Sequence, residues 1–422
     1  MAYIAIATAI TARAELFTTI VDFGAPNRPG GTPAGNLLPG SDGMIYGATA
    51  GTIFKVKADG SGFTTLKSFN GSSDGQGPAA GVILSGVLYG TTTGGGINGF
   101  GTVFKINTSG TGFQVLKSFA AAECKYPTGS LVLDRDILYG TTTSGGGGFG
   151  SGAVFRVKTT GLAFSVIYVF SDFATHSPNS GFVQSGNTIF GTAYSVSNDG
   201  FGSVFAVNTE VSGCTILHYF NGHDGMNLIG GLVRDGNALY GVSSAAIDGG
   251  GTVFKVNTDG SAFEVLKTLN GNDGGYLTSG LTLTNGTLYG TAAIGGSFNC
   301  GTVFQIRTNG EEFKVLKHFT GPDGASPESV LTVIGDTLFG TTWGGGAYGK
   351  GTMFKLKLVG NPPLLQIARK STNSGILTWT NAAFTLQSAA TAAGVYTNVP
   401  GATSPYTNNV TGRQNFYRLV AN

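Results

Sequence analysis

The sequence predicts an all-β protein, a seven-bladed β-propeller with four-stranded blades followed by a small β-sandwich-like domain. Three observations support this fold class. A unit of about 50 residues recurs seven times. Each unit holds four short segments rich in β-branched and aromatic residues. No segment has the 3.6-residue apolar period of a helix, and glycine, with 72 of 422 residues, interrupts every candidate helix.

Three markers define the repeat. The first is GTVF, whose versions begin at Gly51, Gly101, Gly152, Gly202, Gly251, Gly301 and Gly351. The second is LYG, whose versions begin at Ile45, Leu88, Leu138, Ile189, Leu239, Leu288 and Leu338. The third is FQVLKSF at 113–119, which has six counterparts. Four strands in each unit of this length indicate propeller blades, and an extended β-solenoid, whose repeats are usually shorter, is the alternative.

The second unit shows the four strands, named A to D, as AAGVILS, VLYGTTT, GTVFKIN and FQVLKSF. Segments such as TVFKI are apolar on both sides, as expected for blades covered on both faces. The chain begins with a lone D strand, 17–23, and its last unit ends after strand C, 351–357. The N-terminal strand is therefore predicted to complete the last blade, which closes the ring and removes exposed sheet edges.

The chain ends are predicted separately from the propeller, which extends over 15–358. Residues 1–14 are interpreted as a signal-peptide remnant because an apolar segment precedes Ala12-Arg13-Ala14, although a basic segment is missing. An extra edge strand is the alternative. The Pro362-Pro363 pair marks 359–363 as a linker. Residues 364–422 carry further strand-like pieces and are predicted to form the small C-terminal β-domain.

Composition and spacing argue against several functional classes. A net charge of +2 with 11% charged residues disfavours nucleic acid as a partner. No apolar run reaches the roughly 18–20 residues of a membrane span. Cys124, Cys214 and Cys300 lie far apart, and the four histidines lack metal-site spacing. We therefore predict no metal and no cofactor, with calcium bound by Asp-Gly loops as the alternative.

The unit LYGTTTGGG…GTVFKI…F.VLKSF…G.DG..P resembles the GloVer (Gloeo/Verruco) tandem repeat of extracellular bacterial proteins, over about residues 15–358. Blade 1 departs from the pattern by lacking the GGG loop, and blades 4 and 5 replace that loop. The resemblance implies a propeller-like fold and a secreted or cell-surface location. It implies no assigned chemistry.

Two glycine-rich motifs match enzyme signatures only formally. GGGING at 94–99 fits GxGxxG, but a strand follows it where a dinucleotide site needs a helix. GSSDG at 71–75 fits GxSxG without the strand-turn-helix context of a nucleophile elbow. Both are interpreted as turns, and no catalytic residue is predicted.

One face of the propeller is predicted to carry the ligand site. In a four-stranded meander the D–A and B–C loops emerge at the same end of every blade, and these are the long loops. Each aspartate there is either a turn residue bonded to its own backbone or a ligand-binding carboxylate. The aromatic residues either fold back between blades or stack on sugar rings. The candidates are Asp74, Asp224, Asp273, Asp323, Phe100, Phe149, Tyr194, Phe201, Phe298, Trp343 and Tyr348.

Three functions are compatible with this pattern. The first is a non-enzymatic extracellular binding or cell-envelope scaffold propeller, with a glycan or an envelope protein on the long-loop face. The second is a carbohydrate-active hydrolase or lyase with acidic residues near the central channel; such hydrolases need paired carboxylates about 5–10 Å apart. The third is a self-assembling structural repeat protein.

Overall fold

The computed structural model describes the greater part of the chain. The described residues are 5–6, 17–26, 28, 30–78, 83–84, 86–128, 130–145, 151–170, 177–178, 181–194, 201–211, 213–358, 366–371, 374–378, 384–389, 397–403, 406–409 and 416–421. Every regular element among them is a strand, and none of them belongs to a helix long and apolar enough to cross a membrane. Phe17–Leu356 forms one compact unit, and the C-terminal strands belong to a second.

The larger unit is a seven-bladed propeller of antiparallel four-stranded sheets, as predicted. In the order A to D, the strands of blade 1 are Pro33–Pro39, Met44–Thr49, Thr52–Lys57 and Thr64–Ser68. Those of blade 2 are Gln76–Pro78 with Ile83–Leu84, Val87–Gly94, Thr102–Asn107 and Gln114–Ser118. Those of blade 3 are Cys124–Pro127 with Val132–Asp134, Ile137–Gly145, Ala153–Lys158 and Ser165–Val169. Those of blade 4 are Val183–Ser185, Thr188–Ala193, Ser203–Asn208 and Cys214–Tyr219. Those of blade 5 are Val233–Asp235, Ala238–Ser243, Thr252–Asn257 and Glu264–Thr268. Those of blade 6 are Thr282–Thr284, Thr287–Ala292, Thr302–Arg307 and Lys314–His318. Those of blade 7 are Ala325–Pro327 with Thr332–Ile334, Thr337–Gly344, Thr352–Lys357 and Phe17–Asp22.

The N-terminal strand closes the ring. Phe17–Asp22 pairs antiparallel with Thr352–Lys357, from Phe17 opposite Leu356 to Asp22 opposite Thr352. The Ala347 amide donates to the Asp22 carboxylate at 2.9 Å, which ties the same strand to a loop of blade 7. The predicted closure is therefore confirmed, and its physical benefit is that no blade is left with three strands and an open edge.

The LYG and GTVF markers recur because they make one packing contact. In blade 6, Gly290 lies opposite Phe304 on the neighbouring strand, and Phe304 is completely buried. A Cβ at Gly290 would lie 2.5 Å from the Phe304 ring. The same glycine–phenylalanine pair occurs in every blade, as Gly47–Phe54, Gly90–Phe104, Gly140–Phe155, Gly191–Phe205, Gly241–Phe254, Gly290–Phe304 and Gly340–Phe354. Each ring lies over a glycine and fills the core between blades.

The innermost strand is interrupted where it faces the central channel. In blade 7, Pro327 pairs with Thr342 and Thr332 pairs with Phe339. Between these two pairs, strand A therefore contains two more residues than the part of strand B opposite it. The same mismatch occurs in blades 2 and 3. The two extra residues form a bulge, and such bulges are a common way to redirect side chains beside functional sites.

The described residues of the second unit form two small sheets. One has the strand order Ala5–Ile6, Phe416–Ala421, Phe384–Ala389 and Thr397–Asn398, with Ala5–Ile6 as a parallel edge strand. The other has the order Gln366–Ser371, Ser374–Thr378 and Tyr406–Asn409. Leu377 and Leu386, one from each sheet, are fully buried.

Candidate functional site

The innermost segment of each blade carries one residue in the left-handed backbone region at the mouth of the channel. Its φ is 58° at Tyr126, 57° at Tyr276 and 53° at Ser326. The equivalent residues of the other blades, with φ between 49° and 62°, are Thr32, Gly77, Ser177 and Asn227. These seven residues are named the rim. This conformation costs a non-glycine residue about 1 kcal/mol or more. Because the side chain differs from blade to blade, the fold imposes the conformation.

Backbone hydrogen bonds hold the rim to the preceding blade. The Tyr126 amide donates to the Phe100 carbonyl at 3.0 Å, and the Ser326 amide donates to the Cys300 carbonyl at 3.0 Å. The same bond joins Thr32 to Lys350, Ser177 to Ser151 and Asn227 to Phe201. The mouth of the channel is thus a ring of fixed backbone carrying variable side chains, an arrangement suited to binding.

Below the rim, the bulged segments enclose a cavity of about 360 Å³. One side of its wall is glycine: a Cβ at Gly231 would lie 2.8 Å from the Gly181 carbonyl oxygen, and one at Gly280 would lie 2.9 Å from that of Gly231. Blades 4, 5 and 6 therefore approach too closely there for side chains. Elsewhere the wall is polar, and Asn36 Nδ2 donates to Ser130 Oγ at 3.4 Å.

Glu328 is the one charged side chain among the described residues that line this cavity. Its backbone is fixed by its neighbour Ser329, whose Oγ accepts the Thr341 amide at 2.8 Å and whose carbonyl accepts Thr291 Oγ1 of blade 6 at 3.4 Å. The Glu328 side chain is exposed to the channel, and partial desolvation by the surrounding protein raises the pKa of its carboxyl group. Within the described part of the chain, the carboxylate has neither a hydrogen bond nor an ion pair.

Two threonines occupy the position of Glu328 in other blades. Thr128 in blade 3 and Thr278 in blade 6 follow the rim by two residues, as Glu328 does. Their hydroxyl oxygens are buried, and neither has a hydrogen-bond partner among the described residues.

The exposed hydrophobic side chains concentrate on the long-loop face, the end of the blades that bears the D–A and B–C loops. Among the described residues, eleven large hydrophobic side chains are exposed, and eight of them lie at this end. The eight are Ile97, Tyr126, Ile247, Tyr276, Ile294, Phe298, Trp343 and Tyr348. Leu162 and Val211 lie at the opposite end of the blades, on short C–D turns. Exposed apolar side chains gathered on one face are a feature that interaction surfaces share.

The predicted aromatic residues divide into exposed and packed groups. Phe298, Trp343 and Tyr348 are 60%, 55% and 52% exposed. Trp343 lies across from the rim residue Ser326, between two pairs of bridged residues. Phe100 is half-buried, and its ring centre lies 6.0 Å from that of Tyr126 in an edge-to-face contact.

Two further predicted aromatics are less exposed. Phe201 packs against the core between blades 4 and 5, and Tyr194 is half-buried. Phe149 lies outside the described residues. The structure thus separates residues that sequence alone treated as one set.

The predicted aspartates lie beside the outermost strands, where each pairs with a lysine or a histidine of its own blade. In blade 6, Lys317 Nζ bonds the Asp323 carboxylate and lies 4.4 Å from the ring centre of Phe17 in the next blade. The Thr320 amide also donates to Asp323, at 2.8 Å. We name this arrangement a clamp: a lysine or histidine bonds a carboxylate of its own blade and lies against an aromatic ring of the next blade. The other clamps are Lys67–Asp74–Phe113, Lys117–Glu123–Phe164, His218–Asp224–Phe263 and Lys267–Asp273–Phe313.

These clamps join consecutive blades. At Asp74, burial acts to raise the pKa, but hydrogen bonds from Lys67 and from the Asn70 amide outweigh it, so the pKa lies below its ordinary value. The sequence pattern showed the Asp-Gly turns but not their partners, because the lysine or histidine lies on the preceding strand and the aromatic ring on the next blade.

The described residues contain no group of three or more His, Cys, Asp or Glu side chains that could hold a metal ion. His223 bonds Asp248 at 2.7 Å on the long-loop face, and His318 accepts the Ser297 amide at 3.2 Å. His176 lies outside the described residues.

The sequence analysis did not single out Glu328, Thr128, Thr278 or the two rim tyrosines. An alignment of the seven units on the residue after the rim, which is proline in five blades and leucine in blades 5 and 6, shows the signal: the second residue after the rim is Ala34, Ala79, Thr128, Asn179, Ile229, Thr278 or Glu328. A single charge at one of seven equivalent positions departs from the repeat, and departures from a repeat are where individual function can reside.

Comparison with known proteins assigns the family. The model of the Gloeobacter/Verrucomicrobia repeat matches residues 48–249 and 246–381. The chain belongs to this repeat family. The match covers most of the propeller and confirms the predicted resemblance. A search of curated proteins finds no match.

Several solved structures share the fold at low identity. The extracellular domain of a candidate one-component system from B. thetaiotaomicron has a TM-score of 0.56 at 12% identity, covering 86% of this chain and 45% of that one. A hybrid two-component system's extracellular domain from the same organism gives 0.53 at 11%, covering 83% and 45%. This chain thus spans less than half the length of those two proteins. An oligogalacturonate lyase in complex with manganese gives 0.52 at 12%, covering 81% and 93%. At such identities the likeness concerns the fold.

Proposed function

We propose that this repeat-family chain is a non-enzymatic extracellular binding propeller that holds a glycan on its long-loop face. The observation that carries the proposal is the placement of eight of the eleven exposed large hydrophobic side chains of the described residues on that one face. An extracellular location is supported by the two similar extracellular domains.

The chemistry of the face favours a glycan over an envelope protein. Trp343 and Tyr348 present flat, amphipathic rings to solvent, and such rings match the apolar faces of sugar rings while their polar edges reach hydroxyl groups. The rim adds hydroxyl and amide side chains at Thr32, Ser177 and Asn227. A protein ligand, with the chain acting as an envelope scaffold, is the alternative occupant of the same face.

The test is a comparison of variants on opposite faces. Purified protein is screened on a glycan array and against envelope proteins, and the best ligand is titrated against Trp343→Ala, Tyr348→Ala and the control Leu162→Ala. Loss of one stacking ring should weaken glycan binding about tenfold, whereas Leu162→Ala should leave it unchanged. No ligand in either screen, or equal loss with Leu162→Ala, contradicts the proposal. Light scattering on the same material tests self-assembly.

A carbohydrate-active enzyme is the second candidate, favoured by the presence of Glu328 in the channel and by the similarity of fold to an oligogalacturonate lyase. Glycoside hydrolysis uses two carboxyl groups, and the described cavity residues supply one. A lyase would need Glu328 or a neighbour as a base. Incubation with uronate and neutral polysaccharides, followed by reducing-end and ultraviolet assays, decides: product release that Glu328→Gln abolishes would establish the enzyme.

A further inference from the structure

The seam between blades 4 and 5 departs from the repeat at the short-turn end of the propeller, the end that bears the A–B and C–D turns. There the two blades leave a groove of about 640 Å³, which is named the seam groove. We propose that the seam groove binds a linear amino carboxylate, with the ammonium end at the Thr258 carbonyl and Asp259, and the carboxylate end at Arg234. The groove lies at the end of the blades opposite the long-loop face, so the proposal does not depend on what that face binds.

In blade 1 the corresponding space is filled by side chains of the repeat. Tyr46 lies opposite Lys55 on the neighbouring strand, and Lys55 Nζ donates to the Thr108 carbonyl of blade 2 at 3.1 Å. The Thr108 side chain also interacts with the Tyr46 hydroxyl, and Thr308 of blade 6 interacts in the same way with Tyr240 of blade 5. A lysine and a tyrosine of one blade thus reach the C–D turn of the next.

Blade 4 lacks both of these groups. Phe190 and Ala206 lie opposite each other at the positions of Tyr46 and Lys55, and both line the seam groove. The counterparts of Ala206 in the other blades are long side chains that end in N–H groups: Lys55, Lys105, Arg156, Lys255, Gln305 and Lys355. Two shortened side chains on adjacent strands, with Cβ atoms about 5 Å apart, therefore open the groove.

Thr258 of blade 5 occupies the position of Thr108 and lacks the bonds that the repeat makes there. Its amide donates to the Asn237 carbonyl at 2.8 Å, but its carbonyl and hydroxyl oxygens bond none of the described residues. The turn packs closely on blade 4, since a Cβ at Gly260 would lie 3.0 Å from the Leu217 carbonyl oxygen. The Thr258 carbonyl is thus an acceptor held in place for the N–H group that a lysine supplies in blade 1.

The groove carries one charge of each sign, on different parts of blade 5. Arg234 on strand A and Asp259 in the C–D turn are the charged residues among its described lining residues, and both are exposed. Arg234 makes no hydrogen bond or ion pair with a described residue. The hydroxyl and amide of Ser261 donate to Asp259 and hold the pKa of its carboxyl group below the ordinary value, so this group is charged at neutral pH.

The separation of the two charges favours a zwitterion over a simple anion or cation. Strand A and the turn after strand C are two strand spacings apart, so the Cα atoms of Arg234 and Asp259 are separated by at least about 10 Å. A simple anion would meet the Asp259 carboxylate in the same groove, and a simple cation would meet the Arg234 guanidinium. A ligand with one charge at each end meets an opposite charge at both.

Arg234 is itself a departure from the repeat. It pairs with Leu239 on strand B, and the residues that make the same pair in the other blades are Pro39, Leu84, Leu133, Gln184, Leu283 and Val333. All six of these are uncharged. A guanidinium group binds a carboxylate through two parallel N–H···O bonds, so Arg234 defines the chemistry of that end of the ligand.

The floor and the size of the groove define the middle of the ligand. Phe190, Ala206 and Val211 line it and offer apolar contact to methylene groups between the two charged ends. Its volume corresponds to roughly twenty water molecules, enough for a chain of about ten non-hydrogen atoms with water around it. The chemical class is therefore an α,ω-amino carboxylate, of which 6-aminohexanoate is the simplest probe.

The experiment is a titration of the whole chain with 6-aminohexanoate at constant ionic strength, followed by saturation-transfer-difference NMR. The decisive variant is Ala206→Lys, which introduces the residue that blades 1, 2, 5 and 7 carry at this position and is therefore expected to fold. Its side chain fills the groove, so binding should weaken at least about tenfold. The control Ala206→Ser changes the same residue without filling the groove and should leave the affinity within about twofold.

Two further variants test the ends of the ligand. Arg234→Gln introduces the residue that blade 4 carries there, Gln184, and should weaken binding about threefold or more because the carboxylate loses its partner. Asp259→Asn should weaken it to a similar extent. The matched control is Asp59→Asn in the equivalent turn of blade 1, where Asp59 likewise accepts the Ser61 amide, and it should leave the affinity within about twofold.

Two isosteric probes complete the test. The compound 6-aminohexanamide keeps the ammonium end without the carboxylate, and N-acetyl-6-aminohexanoate keeps the carboxylate end without the ammonium. Each should bind at least about threefold more weakly than 6-aminohexanoate. Equal affinity of either probe overturns the assignment of the two ends. Absence of 6-aminohexanoate binding to the parent chain, or equal binding to Ala206→Lys, overturns the proposal outright.

Discussion

The glycine–phenylalanine pair of each blade makes a quantitative prediction about stability, which blade 6 illustrates. Gly290→Ala adds one methyl group to strand B. The new Cβ would lie 2.5 Å from Phe304 Cζ and 2.9 Å from Leu281 Cδ2, whereas carbon atoms in contact prefer about 3.5–4.0 Å. At least one neighbour must therefore move by about 1 Å. Phe304 and Leu281 are 0% and 4% exposed, so no open space receives them.

The expected cost is about 2–3 kcal/mol, the upper part of the range for overpacking a core. Backbone strain adds little, because the φ of Gly290 is outside the left-handed region. Phe304→Leu shortens the opposing side chain and should relieve the clash. We therefore expect the double variant to be more stable than the sum of the single effects by about 1 kcal/mol or more.

The assay is urea unfolding followed by circular dichroism, with the midpoint and slope determined for each variant. Gly271→Ala is the matched control, because its new Cβ would meet nothing within 4 Å and its φ is also outside the left-handed region; it should be neutral or slightly stabilising. The steric reasoning is refuted if Gly290→Ala unfolds within about 0.5 kcal/mol of the parent. Equal destabilisation by both alanine variants also refutes it.

Three other predictions follow from buried or paired groups. Cys124 is fully buried, and desolvation raises its pKa to about 12. It should therefore react with a thiol reagent only after unfolding, unlike the partly exposed Cys300. Rapid labelling of Cys124 in the native protein, detected by mass spectrometry, contradicts this prediction. Asp323→Asn leaves Lys317 without its partner and should lower the free energy of unfolding by about 1 kcal/mol. Asp136→Asn, in the exposed pair with Lys158, should lower it by about 0.5 kcal/mol or less. Equal losses of stability in urea melts contradict a structural clamp. Because the folded pKa of Glu328 is raised above its ordinary 4.5, the native state holds the proton more tightly than the unfolded state, so stability falls as pH rises through this range. Glu328→Gln removes that fall and should be more stable than the parent near pH 7 but not near pH 4; the reverse order in pH-dependent melts contradicts the sign.

Sequence pattern and structure agree on the architecture because all seven units make the same packing contacts, so the residues that make those contacts recur in the sequence. The GTVF and LYG markers keep their spacing since each glycine must face the ring of its own blade, as Gly290 faces Phe304. The phase of the first strand was sufficient to predict ring closure. The Asp-Gly turns were also recognised, but sequence left open whether their carboxylates bind a ligand, since turn and ligand-site residues look alike in one dimension.

The sequence by itself determined the blade count, the strand order, the closure and the face that bears the long loops. Only the tertiary structure decided which aromatic side chains are exposed, which lysine or histidine each aspartate bonds, and that Glu328 lines the channel cavity. The physical reason is distance along the chain. Strand pairing within a blade is local and leaves a periodic pattern, whereas Lys317 meets Phe17 and Asn36 meets Ser130 through ring closure and the close approach of blades at the axis, which no local pattern records.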